Sequence, residues 1–269
     1  MVQEFTGFPA PAPGVMNVDF ADRVDMNRLR DYRSRRVQQA LDASALGGVL
    51  CFDMNNIRYL TSTTIGEWAR DKLCRFALRT RTGEPHLWDF GSAAKANRLY
   101  APWLRTENVR AGMTGMRGAV EPEAGLFRDT ARTIQAVLED EGVADMPLGV
   151  DYAETPMFLV LAEEGVDVRD GQQTMLDARV VKSEDEITLL STAASMVYGT
   201  YHSILEELKP GVRENDIVAL ANKQLYEAGS DDVECINAVS GERCNPHPHV
   251  FSDRTIRPGD QAFFDKLII

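Results

Sequence analysis

The sequence predicts a mixed α/β (α+β) protein in two parts, and three observations lead to that prediction. In the first part, short apolar segments bounded by turn residues alternate with longer amphipathic segments, which is typical of strands that alternate with helices. Near residue 177 the pattern changes to long helical segments followed by a strand. The length of 269 residues and the hydrophobic content of 44% suffice for one large domain or two ordinary ones.

The first part contains the alternating elements. Residues 1–25 are expected to form a loose arm, because they begin with the Pro-, Ala- and Gly-rich segment "MVQEFTGFPAPAPG". A helical pattern covers residues 26–45, and residues 47–52, "GGVLCF", follow as a buried strand. Strands are further predicted for "RFALRT", "PHLWDF" and "PLGVD", and helices for "AAKANRLYAPWL" and "LFRDTARTIQAVLED". We therefore expect an α/β domain over residues 26–176.

Residues 177–269 form the second predicted part. One long helix is expected over "DARVVKSEDEITLLSTAASMVYGTYHSILEELKPG", with Ser183 as its N-terminal cap, Glu186 completing a capping box and Pro210-Gly211 ending it. The expected buried stripe of this helix consists of Ile187, Leu190, Ala194, Val197, Tyr201, Ile204 and Leu208. A second helix over residues 214–229 and a strand over "VECINAVSG" precede the final segment, "RCNPHPHVFSDRTIRPGDQAFFDKLII".

Charge and composition exclude several classes of function. The net charge of −12 is opposite in sign to a nucleic-acid-binding surface, so no nucleic-acid partner is expected. The basic run from Arg28 to Arg36 is interpreted as the solvated face of the first helix. No apolar stretch approaches the ~20 residues that span a membrane, so no membrane association is expected. The four cysteines form no CxxC pair and follow no signal peptide, which predicts a cytoplasmic location.

Five segments of the second part follow one another in a recognisable order. They are "RVVKSEDEITLLSTAA", "LKPGVREND", "LYEAGSDD", "NAVSGERCNPHPH" and "IRPGDQAFFD". This series resembles the first half of the catalytic domain of the creatinase and Xaa-Pro peptidase superfamily, which has the pita-bread fold. The segment "GGVLCFDMNNIRYLTSTT" resembles the small domain that precedes it. The resemblance therefore implies a creatinase-type N-terminal domain followed by an incomplete pita-bread catalytic domain.

Two stretches resemble the DddP-type dimethylsulfoniopropionate lyases within that superfamily. They are "GGVLCFDMNNIRYLTSTTIGEWARDKLCRFAL" and "SGERCNPHPHVFSDRTIRPGDQAFFD". These lyases cleave dimethylsulfoniopropionate to dimethyl sulfide and acrylate, so the resemblance implies a small-molecule substrate. It also implies a homodimer, in which the small domain of one subunit closes the site of the other. The His-Pro-His sequence at 247–249 departs from these lyases and leaves Xaa-Pro peptidase and creatinase-like C–N hydrolase activities open.

The final predicted strand carries the acidic residue Asp265. Strand alternation in "QAFFDKLII" places Asp265 on one face with Phe263 and Gln261, and Phe264 on the other. A pair of hard cations requires several carboxylates and a histidine that converge on one cavity. The resemblance implies that Asp265 is the first ligand of two metal ions, of divalent or iron type. A solvent-facing acid on an edge strand is the structural alternative.

His247 and His249 precede this strand and are the candidate catalytic residues. In the peptidases of the superfamily a histidine at this place contacts the substrate or the intermediate, and an imidazole can donate to a developing negative charge or transfer a proton. Trp68 is the candidate substrate-binding residue, because a tryptophan in the matching loop of the lyases lies near the substrate and an aromatic face suits a sulfonium cation. A polar loop and a core or interface tryptophan are the alternatives. Arg75 and Asp71, near Trp68, are interpreted as surface charges.

The metal ligands that follow the first acid in the superfamily are a second acid, a histidine and two glutamates. The chain ends at Ile269, shortly after Asp265. We therefore expect a truncated chain that lacks most of the ligands, with the catalytic base beyond residue 269. An inactive homologue that binds a partner is the remaining alternative.

Overall fold

The computed structural model describes residues 24–63, 75–113, 121 and 124–268. Contacts between Cα atoms divide the chain into two compact units. The N-terminal unit is Met26–Ser183, and the C-terminal unit contains Glu184–Ile269. The predicted domain boundaries at residues 25/26 and 176/177 stay predictions. Within the described ranges, each helix is too short or too polar to cross a lipid bilayer.

The N-terminal unit alternates strands and helices, as the sequence predicts. Strands at "GGVLCF", "RFALRT", "PHLWDF" and "PLGVD" and helices at the three predicted segments are confirmed. The elements are α1 (Met26–Asp42), β1 (Gly48–Cys51), α2 (Met54–Thr61), β2 (Phe76–Thr80), β3 (His86–Asp89), α3 (Gly91–Tyr100), β4 (Val109–Ala111), α4 (Leu126–Asp140), β5 (Leu148–Val150), α5 (Thr155–Glu163), β6 (Val168–Asp170) and α6 (Gln172–Arg179).

The strands of this unit form one six-stranded sheet in the order β4-β3-β2-β1-β5-β6. β2 is antiparallel to both of its neighbours, β1 and β3. The pairs β3–β4, β1–β5 and β5–β6 are parallel. The segment "RTGE" joins the antiparallel strands β2 and β3.

Both faces of the sheet are covered, which explains why the strand segments are apolar throughout. Leu50 of β1 belongs to a core that the sheet shares with α4 and α5. Val49 and Cys51, which point to the opposite face, belong to a second core shared with α1, α2, α3 and α6. A strand buried on both faces reads as a continuous apolar run rather than as an alternating one. Each fully buried Leu or Phe in these cores contributes about 1.5–3 kcal/mol.

A buried histidine joins the end of α4 to the sheet. His86 of β3 lies with its Nε2 atom 2.6 Å from Oε1 of Glu141, and its Nδ1 atom lies 2.8 Å from Arg110. Because an arginine can only donate, Nδ1 is the acceptor, and Nε2 carries the hydrogen that is donated to Glu141. Both ring nitrogens are therefore satisfied in the neutral form. Burial lowers the pKa of His86, and the positive charges of Arg110 and Arg79 lower it further. The hydrogen bond to Glu141 and the charge of that residue raise the pKa, but less than the other effects lower it.

This histidine makes the stability of the chain depend on pH. Below about pH 6.5, the ordinary pKa of histidine, the unfolded chain binds a proton at position 86 that the folded chain does not. The free energy of unfolding should therefore fall as the pH decreases from 6.5 until it passes the lowered pKa of His86. We expect the melting temperature to fall more steeply with acidification in the parent chain than in the His86→Gln variant. Calorimetric scans across this range test it, and parallel curves for the two proteins would contradict it.

The C-terminal unit packs two helices on a hairpin. It contains α7 (Glu184–Glu207), α8 (Glu214–Glu227), β7 (Val233–Ser240) and β8 (Ala262–Ile268), with β7 and β8 antiparallel. Its core includes residues from α7, α8 and β7, and the partly buried Phe264 of β8 packs against this core. The members of this core are Ile204, Ile217, Val218, Ala221, Leu225, Val233, Ile236 and Ala238.

The prediction of one long helix from residue 177 is wrong in two respects. α6 ends at Arg179 and α7 begins at Glu184, directly after Ser183, so the chain leaves the helical path between them. The stripe predicted to be buried is exposed at its start, where Ile187 and Leu190 are 54% and 55% exposed. Only the later members Val197, Ile204 and Leu208 pack in the core of the C-terminal unit. The reason is that this core reaches only the C-terminal half of α7.

Candidate functional site

Asp265 lies on the β7–β8 hairpin, at the position the alternation predicts. It pairs with Asn237 of β7, so the two side chains share one face of the hairpin. Asn237 is buried and Asp265 is half-buried. Phe263, two residues earlier on β8, lies on the same face, while Phe264 packs against the helices on the other. The carboxylate therefore projects from a rigid strand, away from the core of the C-terminal unit.

The two candidate histidines lie near this same face, because His247 contacts Phe263 and His249 contacts His247. The ring of His247 lies 4.6 Å from the ring of Phe263 and 4.4 Å from the ring of His249, both in edge-on geometry. Both ring nitrogens of His247 are shielded from solvent and have no hydrogen-bond partner in the described part of the chain. The described chain therefore leaves both the donor and the acceptor of this imidazole unused. The structure therefore brings His247, His249 and the Asp265 strand together, as expected for a joint site.

His249 adopts an uncommon backbone conformation. Its φ angle is +53°, in the left-handed region, which only a few per cent of residues other than glycine occupy. Histidine enters this region more readily than β-branched residues do. The side chain of His249 is exposed, whereas that of His247 is half-buried. Of the two histidines, His247 thus has the more enclosed ring.

The segment that carries the histidines is held by Glu214, the first residue of α8. The Glu214 side chain is 1% exposed. Its Oε1 atom accepts hydrogen bonds from the backbone N–H and the hydroxyl of Ser240, at 2.7 and 3.0 Å. Its Oε2 atom accepts from the hydroxyl of Ser252 at 2.7 Å and lies 3.5 Å from Arg243. We call residues 241–251, between the two serines, the histidine loop.

A second network of hydrogen bonds, centred on Arg254, holds the same loop. Arg254 donates to the Ser240 hydroxyl at 2.8 Å, to Asp260 at 2.6 Å and to Glu242 at 2.7 Å. The hydrogen bonds from Arg254 lower the pKa of both carboxyl groups below its usual range. Gly241 has a φ of +58°, and a Cβ atom there would lie 2.4 Å from Arg254. Only glycine therefore allows the loop to start this close to the arginine.

Tyr201 of α7 contacts the strand of the candidate carboxylate. Its hydroxyl donates to the backbone carbonyl of Phe264 at 3.2 Å. Burial raises the pKa of Tyr201, and the negative charge of Asp265 raises it further. The sequence predicts Tyr201 as a member of a buried stripe, so its place beside Asp265 was missed. Glu214 was missed too, because a glutamate in the first turn of a helix is ordinarily explained by the helix dipole.

The carboxylate on β8 does not by itself form a metal centre. Across the described ranges, no group of three or more His, Cys, Asp or Glu side chains is placed to hold a metal ion. Tight binding of a hard divalent cation requires several oxygen ligands. The described residues thus offer Asp265 as one candidate ligand and do not fit a complete site. The assignment of Asp265 as a metal ligand stays a prediction.

Trp68 lies within residues 64–74, outside the described residues, as does Asp71. The two residues that flank this segment are hydrogen-bonded to each other, since Arg75 donates to the Thr63 hydroxyl at 2.6 Å. Arg75 also lies 3.6 Å from Asp89, and both side chains are 5% exposed or less. The interpretation of Arg75 as a surface charge is therefore wrong. Its partner, Asp89 of β3, is too far along the sequence for a local pattern to indicate the pair.

Comparisons with known proteins find a family and relatives that this chain resembles. Residues 188–268 match metallopeptidase family M24. The chain is 28% identical to the dimethylsulfoniopropionate lyase DddP of Roseovarius nubinhibens over 91% of its length and 56% of that lyase. It is also 28% identical to the DddP of Roseobacter denitrificans, over 92% of this chain and 56% of that protein. The chain thus spans about half the length of these curated relatives.

Solved structures of peptidases have the same fold. A Xaa-Pro dipeptidase from Bacillus anthracis superposes with a TM-score of 0.63 at 18% identity, over 88% of this chain and 60% of the dipeptidase. The prolidase from Pyrococcus furiosus superposes with a TM-score of 0.63 at 16% identity, over 88% of this chain and 66% of the prolidase. The chain thus shares the fold of these peptidases, and its residues 188–268 match metallopeptidase family M24.

Proposed function

We propose that this chain belongs to a lyase that cleaves dimethylsulfoniopropionate to dimethyl sulfide and acrylate, and that His247 and His249 act in the site. The observation that carries the proposal is the cluster of His247, His249 and Phe263 on the Asp265 face of β8. The similarity to two DddP lyases, at 28% identity, extends over nine-tenths of the chain and supports the lyase.

The proposed reaction is a β-elimination. A base removes a proton from the carbon next to the substrate carboxylate, and the electron pair of that C–H bond forms the C=C bond of acrylate. The C–S bond breaks, its electron pair stays on sulfur, and neutral dimethyl sulfide leaves. Negative charge grows on the carbon and on the carboxylate beside it, so a hydrogen bond from an imidazole stabilises the transition state. His247, with both ring nitrogens shielded and unpartnered in the described structure, is the residue proposed for this hydrogen bond.

The remaining assignments concern the ends of the substrate and the metal. Phe263, 41% exposed, offers an aromatic face to the sulfonium group, and we assign Trp68 the same role. We assign Asp265 as one carboxylate ligand of a divalent or iron-type metal ion. The substrate is a small molecule, and the net charge of −12 argues against nucleic acid. A homodimer in the cytoplasm completes the proposal, in keeping with the free thiols of Cys51 and Cys244.

A metallopeptidase that cleaves Xaa-Pro dipeptides is the second candidate. The match of residues 188–268 to metallopeptidase family M24 favours it. The same histidines would then donate to the oxyanion that forms as water attacks the amide carbon. Both the lyase reaction and the peptidase reaction place negative charge next to His247. The two functions are therefore distinguished by the substrate that is cleaved.

The test is a paired assay, supplied with divalent cations, on the purified full-length protein that contains this chain. Dimethyl sulfide released from dimethylsulfoniopropionate is measured by gas chromatography, and proline released from a Xaa-Pro dipeptide is measured in the same preparations. We expect dimethyl sulfide together with an equal amount of acrylate, and no proline. Proline release without dimethyl sulfide would replace the lyase by the peptidase. Release of neither product would reject both.

A further inference from the structure

The histidine loop is closed by one buried carboxylate rather than by its own residues. Ser240 ends β7 and precedes the loop, and Ser252 follows it, 12 residues later in the chain. Their hydroxyls bind different oxygens of Glu214. Glu214 therefore connects the two stems of the loop across its base, and the loop can open only if one of these hydrogen bonds is broken.

Helix α8 does not need this carboxylate for its own start. The N-terminal backbone of α8 is capped by Asp216, whose Oδ2 accepts from the N–H of Arg213 at 3.0 Å. Asp216 also pairs with the Arg213 guanidinium at 2.7 Å. The Glu214 carboxylate points instead to the two serines and to Arg243, all of them at the loop. A buried carboxylate is costly unless it is hydrogen-bonded, and here each of its bonds goes to a loop residue or a stem.

The loop in turn determines where the His247 ring lies. The ring packs edge-on against Phe263, which belongs to the same strand as Asp265. Its nitrogens make no hydrogen bond within the described chain that could orient it. Ring packing and the shape of the loop therefore constrain its position in the described chain. Glu214 bonds both stems of the loop, and Arg254 adds bonds to Ser240 and Glu242.

We propose that Glu214 is the positioning residue of the site: by joining Ser240 to Ser252 it holds His247 against Phe263 in the orientation that the reaction uses. This inference rests on the proposed function for its catalytic consequence, but the placement of the ring can be measured without turnover. Displacement of a catalytic group by about 1 Å can cost about 10²-fold in rate. Loss of the Glu214 bonds should therefore lower kcat by about that factor and leave KM nearly unchanged.

The experiment uses the ring signals of the four histidines in NMR spectra of the full chain, labelled at histidine and phenylalanine. Glu214→Gln keeps the size of the side chain but removes its charge and one acceptor. Ser252→Ala removes the bond to Glu214 at the far stem, together with the hydrogen bond that the Ser252 hydroxyl accepts from the N–H of Arg254. It is the milder variant if the glutamate variant is unstable. Asp216→Asn is the matched control, since it changes an exposed carboxylate in the same helical turn. His86 and His202 are internal references, because neither belongs to the loop.

We expect Glu214→Gln and Ser252→Ala to shift the His247 and His249 signals and to remove the nuclear Overhauser effect between the rings of His247 and Phe263. The signals of His86 and His202 should stay in place, and Asp216→Asn should leave the spectrum of the loop unchanged. Unchanged loop signals in both variants, or equal shifts at all four histidines, would overturn the inference. Absence of turnover in the full-length protein would reject the proposed function and leave the NMR result to decide the role of Glu214.

Discussion

Replacement of Arg75 by alanine should lower the free energy of unfolding of the N-terminal unit by about 3 kcal/mol, as expected when one partner of a buried ion pair is removed. The substitution leaves Asp89 buried without its positive partner. Burial already raises the pKa of Asp89, with Arg75 acting in the opposite direction, so the carboxylate would become still harder to ionise. The loss lies at the low end of the range for such pairs because Asp89 keeps hydrogen bonds from Asn97 and from the N–H of Phe90.

Urea unfolding followed by circular dichroism measures this loss. The double variant Arg75→Ala, Asp89→Asn should recover part of the stability, because it removes the uncompensated charge. Arg169→Ala is the matched control: its ion pair with Asp167 is exposed and should contribute little. Equal effects of Arg75→Ala and Arg169→Ala would show that the Arg75–Asp89 pair does not stabilise the unit.

Replacement of His247 by glutamine should lower kcat by about 10²-fold on whichever substrate the paired assay identifies. Glutamine keeps a donor, but its amide N–H does not occupy the position of the imidazole N–H, so the hydrogen bond to the developing negative charge is misplaced. His249→Gln should have a smaller effect, since the His249 ring is exposed and packs against the ring of His247. Initial rates with saturating substrate give kcat for each variant.

His202→Gln is the control for the histidine substitutions. His202 is exposed on α7, away from the histidine loop in sequence, and its variant should retain the parent rate. Circular dichroism establishes that each variant is folded. If His247→Gln and His202→Gln are equally active, His247 has no part in the reaction.

Local patterns predict the parts of this molecule that depend on neighbours in sequence. The alternation in "QAFFDKLII" correctly places Phe263 and Asp265 on one face of β8, because strand geometry alone determines it. The start of α7 directly after Ser183 follows from the capping residue.

Partners that are distant in sequence could not be predicted in the same way. Arg75 is paired with Asp89, and Glu214 is bonded to Ser240 and Ser252, none of which lies in its own element. A single charged residue in a sequence is exposed by default, since burial depends on a partner that folding brings close. The exposure of Ile187 and Leu190 has the same origin: their spacing indicates an apolar helix face but not how far the core extends along it.

Closure of the histidine loop at its base has a consequence for how such a site can change over time. The bonds that maintain the loop involve its two stems, Ser240 and Ser252, and not the residues at its tip. Substitutions at the tip should therefore leave the hydrogen bonds at the base of the loop intact. Residues between the two stems can therefore change the substrate that the loop contacts, whereas Ser240, Ser252 and Glu214 must stay to keep the loop closed.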